Sequence, residues 1–133
     1  MTELVVDARI LVYRVTSGLL GSDEVERLDA RLAQASTLVA PSCEFMRSYR
    51  MLKTLGAEGF FTPSDVTRLS MLVCESGVEL RPLWPWDIPR ISALSCHPSD
   101  AWCISIAESL GVALLTRNPE LATLSTACPV EVY

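Results

Sequence analysis

Three short, unbroken apolar runs constrain this chain more than any other feature. Leu4-Val5-Val6 ends at Asp7, Thr37 to Ala40 ends at Pro41-Ser42, and Val112 to Leu115 ends at Thr116. A strand apolar on both sides must be covered on both sides, as in a parallel sheet sandwiched between helices. Helical stripes lie between the runs. From Ser22 to Ala35, Val25, Leu28, Leu32 and Ala35 recur at spacings of three and four, after a Ser-Asp-Glu start that suits a helix N-terminus. Pro41-Ser42 opens a second helix with Phe45, Tyr49 and Leu52 on one face, ended by Gly56 and Gly59. Thr62-Pro63-Ser64-Asp65 places an N-cap, a proline at the first helical position and an acid at the third, ahead of Val66, Leu69 and Val73. Pro98-Ser99-Asp100 opens another helix through Cys103, Ile106, Ala107 and Leu110, with Gly111 as its stop.

Val78 to Leu83 is expected as a further strand and Val130 to Val132 as a short one closing an edge, while Pro82, Pro85 and Pro89 forbid a long element between, predicting a short loop or lid. Strands alternating with helices imply an α/β fold with a mainly parallel central sheet flanked by helices on both faces. At 133 residues, half of them hydrophobic, the chain fits a single domain spanning 1–133 and needs neither disulfide nor structural metal to fold. Five cysteines without a C-x-x-C pair exclude a zinc cluster or a full disulfide framework, and buried reduced thiols are expected. The chain has no apolar run near the ~18 residues of a membrane span and no leader-like start, so no membrane association and a cytoplasmic location are expected. Eleven basic against 16 acidic residues, a net charge of −5, argue against non-specific coating of nucleic acid but leave room for a local basic patch.

Open parallel sheets bind ligands beyond the carboxyl ends of their strands. Asp7 follows the first strand, Glu44 lies in the first turn after the second, and Thr116-Arg117-Asn118 follows the Val112 to Leu115 strand. Asp100 joins the same rim if the segment before it runs suitably. Each residue alone has a structural explanation. Glu44 and Asp100 would gain from a helix dipole, Asp7 could cap a turn, and Asn118 could start the helix carrying Leu121 and Leu124. Together, three carboxylates and an amide in one pocket repel each other unless a divalent cation neutralises them, and hard oxygen ligands suit Mg2+ or Mn2+.

Val5-Val6-Asp7-Ala8, Pro41-Ser42-Cys43-Glu44, Ser99-Asp100-Ala101-Trp102 with Ile106 to Gly111, and Leu114 to Ala122 occur in this order over essentially the whole chain. In these motifs the chain resembles the PIN domain, and in order and length the VapC-type toxins of toxin-antitoxin pairs. The resemblance implies a magnesium- or manganese-dependent endoribonuclease, commonly a homodimer, held inactive by a cognate antitoxin. It also implies that Asp7, Glu44 and Asp100 are metal-binding carboxylates with catalytic roles, Asp7 and Asp100 being the primary ligands. Asn118 matches a fourth catalytic position that is often Asp, a departure that removes one charge and should weaken a second metal.

Among neighbouring residues, the Thr116 hydroxyl suits orienting a metal-bound water or a carboxylate, or satisfying backbone groups. Arg47, three residues after Glu44, and Arg117 are candidates to grip RNA phosphates, Arg47 equally to pair with the acids. His97 reads as a loop or cap residue with a lesser case for proton transfer. Trp84 and Trp86 suit packing in an interface or over the core, or stacking on bases. Tyr13 and Tyr49 read as core. The rival from another class is a catalytically weak module of the same fold that binds RNA or a protein without cleaving. A phosphoacceptor receiver lacks its strand-end lysine, since Lys53 is the one lysine and lies within a helix, and no glycine-rich loop supports a nucleotide-dependent oxidoreductase.

Overall fold

The computed structural model describes residues 2–20 and 24–133. Its five strands are β1 (Thr2–Val6), β2 (Ala35–Pro41), β3 (Glu79–Arg81), β4 (Leu114–Thr116) and β5 (Val130–Val132), and its helices are α1 (Ala8–Leu20), α2 (Glu24–Ala33), α3 (Glu44–Ala57), α4 (Pro63–Cys74), α5 (Ile88–Ala93) and α6 (Pro98–Leu110). Every pairing is parallel, in the order β3-β2-β1-β4-β5.

Alternation along the central strand divides the interior in two. Leu4 and Val6 point into a cluster with Ile10, Leu28, Leu52 and Leu69, whereas Val5 points the other way, into one with Val39, Ile104 and Leu114. The first cluster joins α1, α3 and α4, and the second is closed by α6. This last helix is buried at every position from Asp100 to Ala107. It therefore carries no amphipathic stripe, and the Cys103, Ile106, Ala107, Leu110 pattern describes only part of its contact surface. Gly111 stops it at φ 68°, the left-handed cap that glycine adopts without strain.

The capping box predicted for α4 is present: the Thr62 hydroxyl accepts from the Asp65 amide, and the Asp65 carboxylate accepts from the Thr62 amide, both at 3.1 Å. Several expectations need correction. Helix α1 begins directly after Asp7, where no helix had been expected, because its residues are apolar nearly all round and give no clean stripe. The Ser22 to Ala35 helix ends at Ala33, and its Ser22-Asp23 start lies outside the described residues. The Val78 to Leu83 strand shrinks to three residues, and the proline-rich stretch forms a 3-10 turn at Pro85–Asp87 followed by α5. Tyr49 is not core but 39% exposed, and Trp84 and Trp86 stack on each other in solvent, their rings 5.0 Å apart and nearly parallel. All five cysteines are free, and Cys74 is exposed rather than buried.

The sheet order reverses direction at β1, which has β2 on one side and β4 on the other. Val6 pairs with Leu115, so the next residues, Asp7 and Thr116, emerge side by side at this switch point, where doubly wound sheets open a crevice.

Candidate active site

Asp7 is completely buried and has two partners fixed by the backbone around it. Its Oδ1 accepts the Ile10 amide at 3.0 Å, capping α1, and its Oδ2 accepts the Thr116 hydroxyl. The cap role and the pocket role are thus filled by different oxygens of one carboxylate. Thr116 in turn accepts the Asn118 amide at 3.1 Å, so its hydroxyl both orients a carboxylate and satisfies backbone.

Glu44 enters from the first turn of α3 and Asp100 from the first turn of α6, at 0% and 2% exposure. The run between β3 and α6 brings Asp100 to the rim: buried Asp87 accepts the Ser105 hydroxyl at 2.7 Å and the Trp84 amide at 3.2 Å, tying the turn to α6. Two arginines link the acids. Arg9 forks onto Asp100 at 2.9 and 3.3 Å and reaches Asp7 at 3.3 Å; Arg47 donates to Asp100 at 2.9 Å and to Glu44 at 3.4 Å. Each acid is therefore one guanidinium away from the next.

Burial and pairing act differently on the three acids. Burial pushes Asp7 up despite the Thr116 and Ile10 hydrogen bonds and the charge of Arg9. Burial also pushes Asp100 up, but the hydrogen bonds and charges of Arg9 and Arg47 outweigh it and hold the group below its ordinary value. Glu44 is raised by burial to about 7, against weaker opposition from Cys103 and Arg47. Its Oε1 accepts the buried Cys103 thiol at 3.1 Å, while its Oε2 is buried with no hydrogen-bond partner. An unpaired buried carboxylate oxygen is costly, and a cation is the partner that best relieves it. That orphan oxygen and the hard donor set fit a divalent ion, with Asp7, Glu44 and Asp100 as the residues to hold it. Among the described residues no group of three His, Cys, Asp or Glu side chains is arranged to close on an ion; here arginine nitrogens stand between the acids.

The remaining candidates fall around this cluster. Asn118 shares a pocket with Arg9, Asp100 and His97, and its Oδ1 accepts the Glu120 amide at 3.1 Å and caps the 3-10 turn Pro119–Thr123, so that oxygen is committed to backbone. His97 caps α6, its Nδ1 accepting the Ser99 amide at 3.1 Å. Arg117 does not face the carboxylates: its guanidinium lies 3.8 Å over the Tyr13 ring, and its Nε donates to the Tyr133 carbonyl. A strand-end position sets where the backbone goes, and the exposed side chain of Arg117 turns onto the Tyr13 ring. Arg47 pairs with the acids. Arg9 and Cys103 had not been expected at the site. Arg9 offered one signal, a cation in the first turn of a helix, where the dipole disfavours it. Cys103 was hidden within an apolar stretch.

No family model matches the sequence, and neither does any curated protein. Solved structures do match in shape. VapBC2 from Rickettsia felis, solved bound to a DNA fragment from its promoter, superposes with a TM-score of 0.69 at 13% identity, over 99% of this chain and 99% of that one. PAE2754 from Pyrobaculum aerophilum gives 0.67 at 16% identity, over 97% and 90%. Near-complete coverage at such low identity is agreement of architecture: with its five parallel strands and interleaved helices, the chain has a PIN fold of the VapC type.

Proposed function

We propose that this protein is a metal-dependent endoribonuclease, the toxin of a toxin-antitoxin pair, and that Asp7, Glu44 and Asp100 form its centre. The observation that carries this reading is the meeting of three buried carboxylates at the sheet's switch point, one of them with an orphan oxygen. A bound Mg2+ or Mn2+ would supply an acidified water and neutralise charge on the phosphodiester. The chain's own residues do the positioning. Asp7 is held in place by Thr116 and the Ile10 amide. Asp100 stays ionised because two guanidiniums favour its charged form. Glu44, raised by burial while no cation is bound, offers its unpartnered Oε2 to the ion, whose charge would favour the ionised form. Arg9 and Arg47, each partly exposed, lie where phosphate oxygens would approach. Asn118 and Thr116 support the pocket through backbone and carboxylate contacts, and Arg117, away from the acids, would touch RNA only beyond the scissile bond.

A cognate antitoxin and a second copy of the chain are the proposed partners. The likeness to VapBC2 supports the first, and exposed Met46, Tyr49, Met71 and Leu72 on α3 and α4 support association of some kind. No helix among the described residues is long and apolar enough to cross a membrane, in keeping with a cytoplasmic RNA target. The second reading, a module that binds without cleaving, draws on the arginines already compensating Asp100 and on the Asn118 Oδ1 serving as a cap. Incubating partner-free protein with total RNA in Mn2+, Mg2+ or chelator separates the two. Cleavage that needs metal and vanishes in the Asp7→Ala Asp100→Ala variant is expected; intact RNA with well-folded protein across a wide metal range would favour the binding module.

A further inference from the structure

The acids at the carboxyl rim are held by two cations that their own helices disfavour. Arg9 is the second residue of α1 and Arg47 the fourth of α3, both in first turns at the positive end of the helix dipole. What retains them is Asp100, from a third helix: its Oδ1 accepts from both arginines at 2.9 Å, and its Oδ2 accepts from Arg9 at 3.3 Å. Both oxygens of Asp100 are thus occupied from the pocket side, whereas the Oε2 of Glu44 is left without a partner. Three carboxylates thus face two guanidiniums, and with Oε2 of Glu44 unpartnered the cluster is bridged but not closed.

We propose that Arg9 and Arg47 are placeholder cations: they hold Asp7, Glu44 and Asp100 together while no divalent ion is bound, yield the Asp100 oxygens when one loads, and then face the RNA phosphate. The identity of the displacing ion rests on the metal-dependent reading above. Charge balance supports the exchange. Three carboxylates and one divalent ion alone would keep a net negative charge and repel a phosphodiester; with two freed guanidiniums beside them the set becomes positive. The arginines also have room to move, since 25% of the Arg9 and 18% of the Arg47 side chain is exposed, against 3% or less for the acids.

The test compares wild type with Arg9→Met and Arg47→Met by calorimetric titration with Mn2+ and by thermal melting in chelator and in Mn2+. Each variant is expected to melt lower in chelator, to gain more from Mn2+, and to bind the ion about tenfold tighter or more, because a competing cation is gone. A variant that folds in Mn2+ but not in chelator supports the proposal equally, since the ion then replaces the guanidinium. One that folds in neither overturns it. Arg47→Lys keeps the charge and is expected to bind Mn2+ much as wild type does. If Mn2+ binds both Met variants no more tightly than wild type, the placeholder role is wrong and the metal-dependent reading survives; if no form binds Mn2+, both fall.

Discussion

Two arginine–carboxylate clusters in this molecule use the same chemistry to opposite ends. On the outer side of α6, Arg90 grips both oxygens of Glu108 at 2.7 and 2.9 Å, and Glu108 also accepts the Ala127 amide at 2.7 Å. Nothing is left over: the Arg90 hydrogen bond leads the effects that hold Glu108 below its ordinary range. At the carboxyl rim, three acids share two arginines, burial is nearly complete, and Glu44 is raised to about 7 with one oxygen unpartnered. A cluster built only to hold helices together has no reason to leave a buried carboxyl oxygen without a hydrogen-bond partner, because that lowers stability. The unpartnered oxygen is what separates the rim cluster from the closed bridge, and it supports the proposed binding role.

The largest effect should come from removing the acids of the open cluster. Asp7→Ala with Asp100→Ala is expected to lower metal-dependent RNA cleavage by at least about 100-fold, since the ligand set is lost. Next comes pH. Folded Glu44 holds its proton up to about 7, whereas the ordinary value is 4.5. The stability this group contributes is therefore fully present below about 4.5 and lost as pH rises to about 7, a change on the order of a few kcal/mol. Asp7, also raised by burial, adds to the same trend, and Asp100, held low, opposes it in acid. Denaturant melts in chelator should show wild type losing stability over this window and Glu44→Gln losing far less. Equal slopes would mean that Glu44 has a partner in solution.

The sequence disclosed the sheet more fully than the pocket, for a physical reason. Leu4-Val5-Val6 and Val112 to Leu115 are short apolar runs of the kind a buried parallel strand uses, so sheet and rim were legible together, although the second strand runs from Leu114 to Thr116 rather than from Val112. Asp7 and Glu44 followed, because strand ends and helix first turns can be located by pattern, whereas Asp100 at the rim depended on the course of the segment before it. What could not be read was direction. Arg47 and Arg117 occupy equally plausible positions, yet one turns to Asp100 and the other to the Tyr13 ring, a choice made by partners from distant segments. Arg9 and Cys103 were missed for the same reason: their partners lie 91 and 59 residues away in sequence. Helix α1 was missed because burial on nearly all sides erases the stripe that identifies a helix.

A smaller effect is expected from the thiol. Cys103→Ala removes the hydrogen bond that the buried sulfur donates to Glu44 Oε1, one of the influences holding that carboxyl down. The stability-versus-pH midpoint of Glu44 should move up by less than about one unit, with a cavity cost of about 1 kcal/mol. Cys103→Ser, which keeps a donor, should leave the midpoint nearly where it is. If both variants behave alike, the thiol is only filling space.

The smallest change should come from the closed cluster. Glu108→Gln keeps the shape and one acceptor for Arg90 and the Ala127 amide but removes the charge. Arg90 and Glu108 are both solvent-accessible, at 35% and 15% of their side chains, so water and salt already screen much of their attraction. Melting should fall by a few degrees at low salt and by less at high salt, while RNA cleavage and Mn2+ affinity stay at wild-type levels. The salt dependence is the informative part. A surface bridge loses its value as ions screen it, whereas the Glu44 effect, which arises from burial, should persist in high salt. If Glu108→Gln altered Mn2+ affinity, the two clusters would be coupled through α6, and the contrast between a structural bridge and a binding pocket would fail.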